Sequence, residues 1–413
     1  MTQSGAVSGP LHGMRVVELA HIMAGPVCGL MLADMGADVI KVEKPNGDDT
    51  RRFLPPDIKG ETAAFMMMNR NKRGIALNLK DEAARGVLKT LLKDADAVIE
   101  NYRRDTMEKL GLSYDVLKTV NPGLIYCEIS GFGRTGPYAE RGGFDLIAQG
   151  MSGLMSITGE GHGRPPVKVG APVSDITAGI LGALGVAGAY AHKLKTGEGQ
   201  RVDTSLFEAG ITHTYWQSAI AFATGVAPGP MGSAHPLNAP YQAFETADGY
   251  VNVGAANQKN WERLLSVLGH PELNDDPRFS SNHGRQTNLD ALVEVLTPHF
   301  RTRTTGEWLA DFERAGLPAG PVMSVTEMHA DPQTLAREMV VETEHPVAGA
   351  VKTIGHPVKY TGTPGGVRRP APLLGQHSRE VLSEAGYAEA DIAALIQSGA
   401  VIATENGRAE AAE

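Results

Sequence analysis

Met14-Arg-Val-Val-Glu-Leu19, Ala20-His-Ile-Met-Ala-Gly-Pro26, Val27-Cys-Gly-Leu-Met-Leu-Ala-Asp-Met35 and, after Gly36, Ala37-Asp-Val-Ile-Lys-Val-Glu43 read in turn as strand, turn, helix and strand. Short Val/Ile-rich runs separated by a helix-length stretch of small and apolar residues imply a parallel crossover unit. The pattern continues outward. Ala76–Leu79, Ala97–Glu100 and Leu124–Ser130 are further strand candidates, with helical stretches at Asp81–Lys93 and Tyr114–Thr119 between them. Strands alternating with helices predict an α/β fold with a mostly parallel, doubly wound sheet. Glu43 ends the second strand as the ribose-binding acid does in dinucleotide folds. The first turn, Ala-His-Ile-Met-Ala-Gly-Pro, has no G-x-G-x-x-G, so a nicotinamide or flavin cofactor is not expected. No Walker A loop, G-x-S-x-G elbow or H-E-x-x-H helix is present.

Character changes after Val202-Asp-Thr-Ser-Leu206. A helical stretch to Thr224 leads into Gly225-Val-Ala-Pro-Gly-Pro-Met-Gly-Ser233, a linker by composition. Ala243 to Val253 alternates on both sides of Asp248-Gly249, a hairpin signal. Helices follow at Asn260–Leu268, Asn288–Phe300 and Thr305–Ala315, the last with Thr304 and Glu307 as a capping box and a stop at Gly316. The expected organisation is a large domain over 11–224, a small α+β domain over 225–322, and a return to the large domain over 323–404. Flexible termini are expected at 1–10 and 405–413.

The chain has 413 residues, 42% of them hydrophobic and 21% charged, and a net charge of -9. An acidic chain with no basic stripe argues against a nucleic-acid partner. Two cysteines, Cys28 and Cys127, are too few for a disulfide framework and too far apart for a metal motif. No metal is expected. The N-terminus lacks the basic start and apolar core of a signal peptide. The longest apolar run, after Asp175, falls short of the roughly twenty residues that span a bilayer. A buried core helix and a cytoplasmic location, with no membrane, are the expectations.

That run, Ile176 to Ala191, carries glycines at 179, 182, 185 and 188, a spacing that keeps small residues near one helix face. Asp175 stands where the helix should start. It reads as an N-cap, accepting bonds from the free amides of the first turn. It reads also as a carboxylate held ionised by the same amides and dipole, able to act as a nucleophile where a ligand can reach it. Local sequence leaves both open.

The whole chain, from about Leu11 to about Ala385, resembles the family III CoA-transferases, the formyl-CoA and carnitine-CoA transferase group, whose superfamily includes α-methylacyl-CoA racemases. The resemblance rests on Ala24-Gly-Pro26, Gly36-Ala-Asp-Val-Ile-Lys-Val-Glu43, Asn71-Lys-Arg73, Glu100-Asn-Tyr102, Gly143-Phe-Asp145 and Gly197-Glu-Gly-Gln200. It implies a Rossmann-like large domain built from both chain ends, a small inserted domain, and an interlocked homodimer. It implies that Asp175 is the covalent nucleophile. It places His21, Met23 and Ala24 beside coenzyme A. Lys44 and Lys109 match basic contacts, and Leu77 to Lys80 flank the adenine. Asn101, Tyr102 and Arg103 follow a strand end, and Arg141 to Phe144 border the thiol.

Taken alone, each Lys or Arg reads as a surface charge, and His21 and Tyr102 read as core. In the racemase branch the residue before the matching Asp145 is a histidine that moves protons. Here it is Phe144, which cannot. The implied reaction carries CoA from an acyl-CoA, closest in look to succinyl-CoA, to a free acid such as a short dicarboxylate, through an aspartyl-CoA thioester. The alternatives are a racemase or epimerase and a non-catalytic CoA-binding protein. No permanently bound cofactor is expected, coenzyme A entering as part of the substrate. Oxyanion donors are expected from the amides at the start of the Ile176 helix and from Gly254-Ala-Ala-Asn257. A dicarboxylate leaves one charge to be matched, for which Arg52, His235 and Gln258 are candidates. Arg51 belongs to a widespread Gly-Asp-x-x-Arg pattern and reads as structural.

Overall fold

The computed structural model describes residues 9–405 and 408–409. They divide into two compact units. The first comprises the described parts of 1–152, 169–213 and 332–413; the second comprises 153–168 and 214–331. The borders thus fall at 214 and 331, and the loop 153–168 groups with the second unit. The sequence reading had placed the borders at 225 and 322.

The first unit is built on a seven-stranded sheet: β1 (Arg15–Glu18), β2 (Asp38–Glu43), β3 (Arg73–Leu77), β4 (Ala97–Glu100), β5 (Ile125–Ser130), β6 (Arg201–Ser205) and β7 (Val401–Ile402). Their order across the sheet is β7-β3-β2-β1-β4-β5-β6. All pairs are parallel except β7 with β3. Alternate residues feed two separate cores. Val17, Leu19, Ile40 and Val98 join one with the C-terminal helices Ser378–Glu384 and Glu389–Gln397. Val16, Val39, Ile99 and Ile129 join the other with helices α1 (Ala24–Asp34) and α3 (Val173–Thr196); the helix α2 (Asp145–Met151) lies between those two in sequence. Because strands buried on both faces need apolar residues on both, these runs read as continuous rather than alternating.

Helix α1 starts at Ala24, three residues earlier than the small-residue run suggested. Pro26 is tolerated because a first-turn N–H has no helical partner to lose. The strand expected at Ala76–Leu79 lies at Arg73–Leu77. Helix α3 is long and apolar enough to cross a membrane by length and composition, and it was expected to be a buried core helix. Only one face is covered within the chain: Ala178, Gly182, Val186 and Ala189 are buried while Leu184 and Leu194 are exposed. A Cβ at Gly179 would lie 2.6 Å from the Ala24 carbonyl oxygen, one at Gly182 2.8 Å from Ile129, and one at Gly185 2.6 Å from Val202. Gly188 meets nothing, since a three-residue spacing drifts around a helix.

Charge lies inside this sheet. Glu18, Lys41 and Lys72 are 0% exposed. Lys41 Nζ sits 3.1 Å from Glu18 and 2.9 Å from Asp48, and Lys72 Nζ 2.7 Å from Glu18. Lys41 also donates to the Ala20 carbonyl at 2.9 Å, and Lys72 to that of Pro26 at 2.8 Å. Burial alone would lower the Lys41 pKa, but Glu18 and Asp48 outweigh it and hold it well above its ordinary value. Burial pulls Lys72 down to about 8 against the attraction of Glu18. Gly29 is required here, because a Cβ would fall 1.8 Å from Glu18 Oε2.

The second unit carries an antiparallel sheet of Tyr241–Glu245, Tyr250–Gly254 and Ala319–Pro321. Helices Gln258–Leu268, Asn282–Thr287, Leu289–Phe300 and Thr305–Ala315 accompany it around Trp261, Phe244, Phe300 and Phe312. The Thr304–Glu307 capping box and the left-handed Gly316 are present as expected.

Of the expected flexible termini, 1–8, 406–407 and 410–413 lie outside the described residues. Gly9 is packed against the Met35 carbonyl, and Thr404–Glu405 pairs with Arg408–Ala409. Both described pieces are therefore held by backbone contacts.

Replacing Lys41 by Met strands the buried Asp48 carboxylate and leaves Glu18 with Lys72 alone. The expected loss is about 3–5 kcal/mol, read as a lower denaturant midpoint. Arg52→Ala, which breaks an exposed pair with Asp49, should cost less than about 1 kcal/mol.

Candidate active site

The strand order reverses between β1 and β4, and open α/β sheets bind ligands in the crevice beyond the strand ends at such a point. The segment after β1 is pinned there from two sides. His21 N donates to Asn101 Oδ1 at 2.9 Å, and Asn101 Nδ2 donates to the His21 carbonyl at 2.8 Å. Ile22 N donates to Asp48 at 3.2 and 3.3 Å, with Ile22 at φ 67°. Gly25 lets the turn close, since a Cβ would fall 2.1 Å from that of Ala20. Helix α1 then begins without a side-chain cap. The amides of Met23, Ala24 and Gly25 have no acceptor among the described residues, so its positive end is open to an anion.

A cavity of about 430 Å³ opens over this turn. Its wall brings together His21, Met23, Ala24, Asn101, Tyr102, Arg103, Arg141, Phe144 and Asp175, nine residues singled out in the sequence. His21 lies 5.6 Å from the Tyr102 ring, and burial lowers its pKa against the pull of Asp48. Arg141 lies over Tyr138 at 4.0 Å, and Arg104 pairs with Glu140. A second cavity, of about 510 Å³, is lined by Lys44, Leu77 and Lys80 and shares Tyr102 with the first.

Asp175 does not cap its helix. It is the third residue of α3, and Pro172 holds the cap position without a side-chain bond. The capping carboxylate comes from α2: Ser174 N donates to Asp145 Oδ1 at 2.9 Å and Asp175 N to the same oxygen at 3.4 Å. Gln149 Nε2 holds Asp145 Oδ2 at 2.7 Å. The capping alternative that the local sequence left open for Asp175 arose from looking for caps next to the helix in the chain. With the amides served from elsewhere, the Asp175 carboxylate has no hydrogen bond or ion pair among the described residues. Burial first, and the like charge of Asp145 second, raise its pKa to about 6.

The same bonds correct the expected oxyanion donors at this helix start. Val173 and Ile176 amides bond Ala171 and Pro172 carbonyls, and with Asp145 on the other two no first-turn amide of α3 is left over. In the second unit, Asn257 caps its own helix through the Asn260 amide, and Gly254 N bonds the Pro318 carbonyl.

The remaining candidates lie outside these linings. Lys109 is exposed and pairs with Asp105. Arg52 pairs with Asp49 and donates to the Asn46 carbonyl at 2.9 Å. Arg51 is structural: it grips Glu43 with bonds of 2.7 and 2.8 Å, reaches the Pro372 carbonyl, and lies 3.5 Å over Phe65. In the second unit His235 stacks on Tyr241 at 5.1 Å, and Gln258 is bonded at both ends of its amide, to Arg285 and Asn274.

Three groups escaped the sequence reading. Asp145 was visible in Gly143-Phe-Asp145 but was read only as a family mark. Arg134 lines the cavity, tied to Glu100 at 2.6 Å and Glu128 at 3.0 Å. Burial pushes Glu100 up to about 7 against Arg134. Those three lie on separate segments, and no spacing announces them.

The CoA-transferase family III model matches residues 11–378. A succinate–glutarate CoA-transferase of Agrobacterium fabrum is 41% identical over 382 residues, 91% of this chain and 95% of that protein. A succinyl-CoA:mesaconate CoA-transferase of Haloarcula marismortui is 39% identical over 394 residues, 92% of this chain and 97% of that one. Among solved structures, a CAIB/BAIF family protein from Brucella suis superposes with a TM-score of 0.83 at 39% identity, covering 92% of this chain and 100% of that chain.

A carboxyl whose pKa is raised by folding contributes stability below its unfolded value and loses it as pH rises through the folded value. For Asp175 that window runs from about 4 to about 6. Asp175→Asn, which leaves the Asp145 cap in place, should therefore gain on the wild type by about 1–3 kcal/mol between pH 4.5 and 7.5. Thermal midpoints of both proteins across that range check it, and a gap that does not widen counts against the burial of Asp175.

Proposed function

The chain belongs to CoA-transferase family III and is an enzyme of the CoA-transferase type, and on that premise we propose that it moves CoA from succinyl-CoA to a short dicarboxylic acid through Asp175. The observation that carries this reading is the Asp175 carboxylate at the cavity wall, with no partner among the described residues because Asp145 caps its helix.

Asp175 attacks the thioester carbonyl; the C–S bond breaks, giving a mixed anhydride and CoA thiolate. The thiolate attacks the aspartyl carbonyl, forming the aspartyl-CoA thioester and releasing the donor acid. The acceptor carboxylate attacks that thioester, the thiolate leaves, and its attack on the acceptor carbonyl delivers acceptor-CoA and frees Asp175. Each step exchanges carboxylate and thiolate with no net proton transfer. A phenyl ring at position 144 is compatible with that, whereas a racemase needs an acid/base group there.

The open amides of Met23, Ala24 and Gly25 receive anionic charge on the CoA side of the cavity, with Asn101, Tyr102, Arg103 and Arg141 around it. Lys44, Leu77 and Lys80 hold the nucleotide end in the neighbouring cavity, and Lys109 adjoins Leu110 of its lining. Arg52 meets the second carboxylate of the acceptor in this reading. No metal or resident cofactor enters any step. The location is cytoplasmic, and the assembly is an interlocked homodimer, for which the exposed Leu184 and Leu194 on α3 supply apolar surface.

Incubation with succinyl-CoA followed by hydroxylamine should leave a hydroxamate at position 175, located by peptide mass spectrometry, in the wild type and not in Asp175→Asn. Its absence from the wild type would point to a non-catalytic CoA binder. A panel of acyl-CoA donors against free acids should rank glutarate above butyrate. Because the nucleophile must be ionised, kcat/KM should climb as pH rises through about 6, following Asp175. Asp145→Asn keeps a capping oxygen and removes the like charge, so the inflection should move to lower pH. An unmoved inflection assigns it to another group.

A further inference from the structure

Glu100 closes β4 and turns its side chain back onto its own chain. The carboxylate is 1% exposed. Its Oε2 accepts from Tyr102 N at 2.7 Å, and its Oε1 from Arg134 Nη2 at 2.6 Å. The same Nη2 donates to the Tyr102 carbonyl at 3.1 Å. One buried ion pair therefore holds both main-chain groups of a single residue. Arg134 is aimed in turn by β5 and β6. Its Nε lies 3.0 Å from Glu128, its amide donates to Asp203 at 3.0 Å, and Arg201 pairs with Glu128.

All of these residues belong to the first unit. Tyr102, the residue they hold, is common to three cavities there. It lines the one with Asp175 at its wall, the one lined by Lys44, Leu77 and Lys80, and a third of about 120 Å³ beside Asp48. A residue shared by neighbouring cavities is a partition, and its main-chain position sets the room on either side.

We propose that the Glu100–Arg134 pair positions coenzyme A: by fixing the Tyr102 main chain it sets the partition between the cavity of Asp175 and the cavity that takes the nucleotide end. The assignment rests on the family reading of those two cavities. The pair acts through Tyr102, so both are positioning residues. Hydrogen bonds to an ionised carboxylate are roughly twice as strong as neutral ones, and the partition is firmest when Glu100 is charged. Burial raises the Glu100 pKa to about 7, with Glu128 adding to it and Arg134 and the Tyr102 amide opposing. The Tyr126 and Tyr102 hydroxyls also face Glu100, and burial raises both, so they stay neutral. Arg201 and Asp203 stand behind Glu128 and Arg134 as described. The hold on Tyr102 is therefore complete above about 7 and weakens as pH falls through that value.

The test titrates free coenzyme A calorimetrically into wild type and Glu100→Gln from about pH 5.5 to about 8.5. Binding alone needs no nucleophile, and the titration of the ligand's phosphates cancels in the ratio of the two dissociation constants. Glu100→Gln keeps a neutral acceptor for the Tyr102 amide. It should bind about tenfold more weakly than wild type at the alkaline end and equally at the acid end, with the change centred near 7. Glu128→Gln leaves both Tyr102 contacts in place and removes a like charge. In that background the same ratio should turn over at lower pH, a shift that loss of stability alone does not produce. Should Glu100→Gln fail to fold, the wild type decides. Dephospho-coenzyme A has no phosphate that titrates near neutral pH, and its binding near pH 7 should release protons, read from buffers of different ionisation enthalpy. A flat ratio, no proton release, or tighter binding by Glu100→Gln at the alkaline end, which makes Glu100 a charge that merely repels the phosphates, overturns the proposal. A wild type that binds no coenzyme A refutes the reading of the cavities and takes the proposal with it. A wild type that binds it equally well with either residue at position 100 refutes the proposal alone.

Discussion

Everything at the cavity end of the sheet depends on a pair of ammonium groups buried among carboxylates. Lys41 and Lys72 share Glu18, and each also reaches a carbonyl on the far side of the first turn, Ala20 for one and Pro26 for the other. The turn is therefore tethered at its entry and its exit by the same ionic cluster. Asp48 extends that cluster outward and spends its remaining lone pairs on Ile22 N and Thr50. Apolar packing is indifferent to small rotations of a loop. Hydrogen bonds to a carboxylate are not, and this is the physical reason a site can be aimed from the interior of a sheet.

A second division of labour follows at α3. A helix start needs an acceptor, and a nucleophile needs a carboxylate with nothing attached. One aspartate cannot do both well. Here Asp145 does the first, and the Asp175 carboxylate is left with no partner among the described residues. The proximity that makes this possible also sets two like charges near one another in a partly buried place, so the arrangement raises the energy of the ionised group it prepares.

Much of this was legible in the sequence, for identifiable reasons. The crossover units announce themselves because strands buried on both faces must be apolar throughout, and Thr304 with Glu307 announces a helix start because its two bonds are local. Nine residues of the cavity wall came from the resemblance to a family; spacing alone did not bring them together. The cap supplied by Asp145 was hidden, since its partner lies about thirty residues away and looks like any helix-starting acid. The amide donors assigned to α3 failed because counting free amides at a helix end omits acceptors from other helices.

The glycines of α3 bear on how such an enzyme diversifies. Gly179 puts the backbone of α3 against the Ala24 carbonyl, and Ala24 opens the helix whose amides face the cavity. The spacing between the anion-facing helix end and the helix bearing Asp175 is thus written in main chain, which point substitutions elsewhere leave alone. Side chains lining the rest of the pocket are free to drift without moving the two helices apart. A lineage built this way can change the acid it accepts by ordinary surface mutation while its chemistry stays registered, and the tolerance ends abruptly at position 179, where one added carbon would separate the two helices.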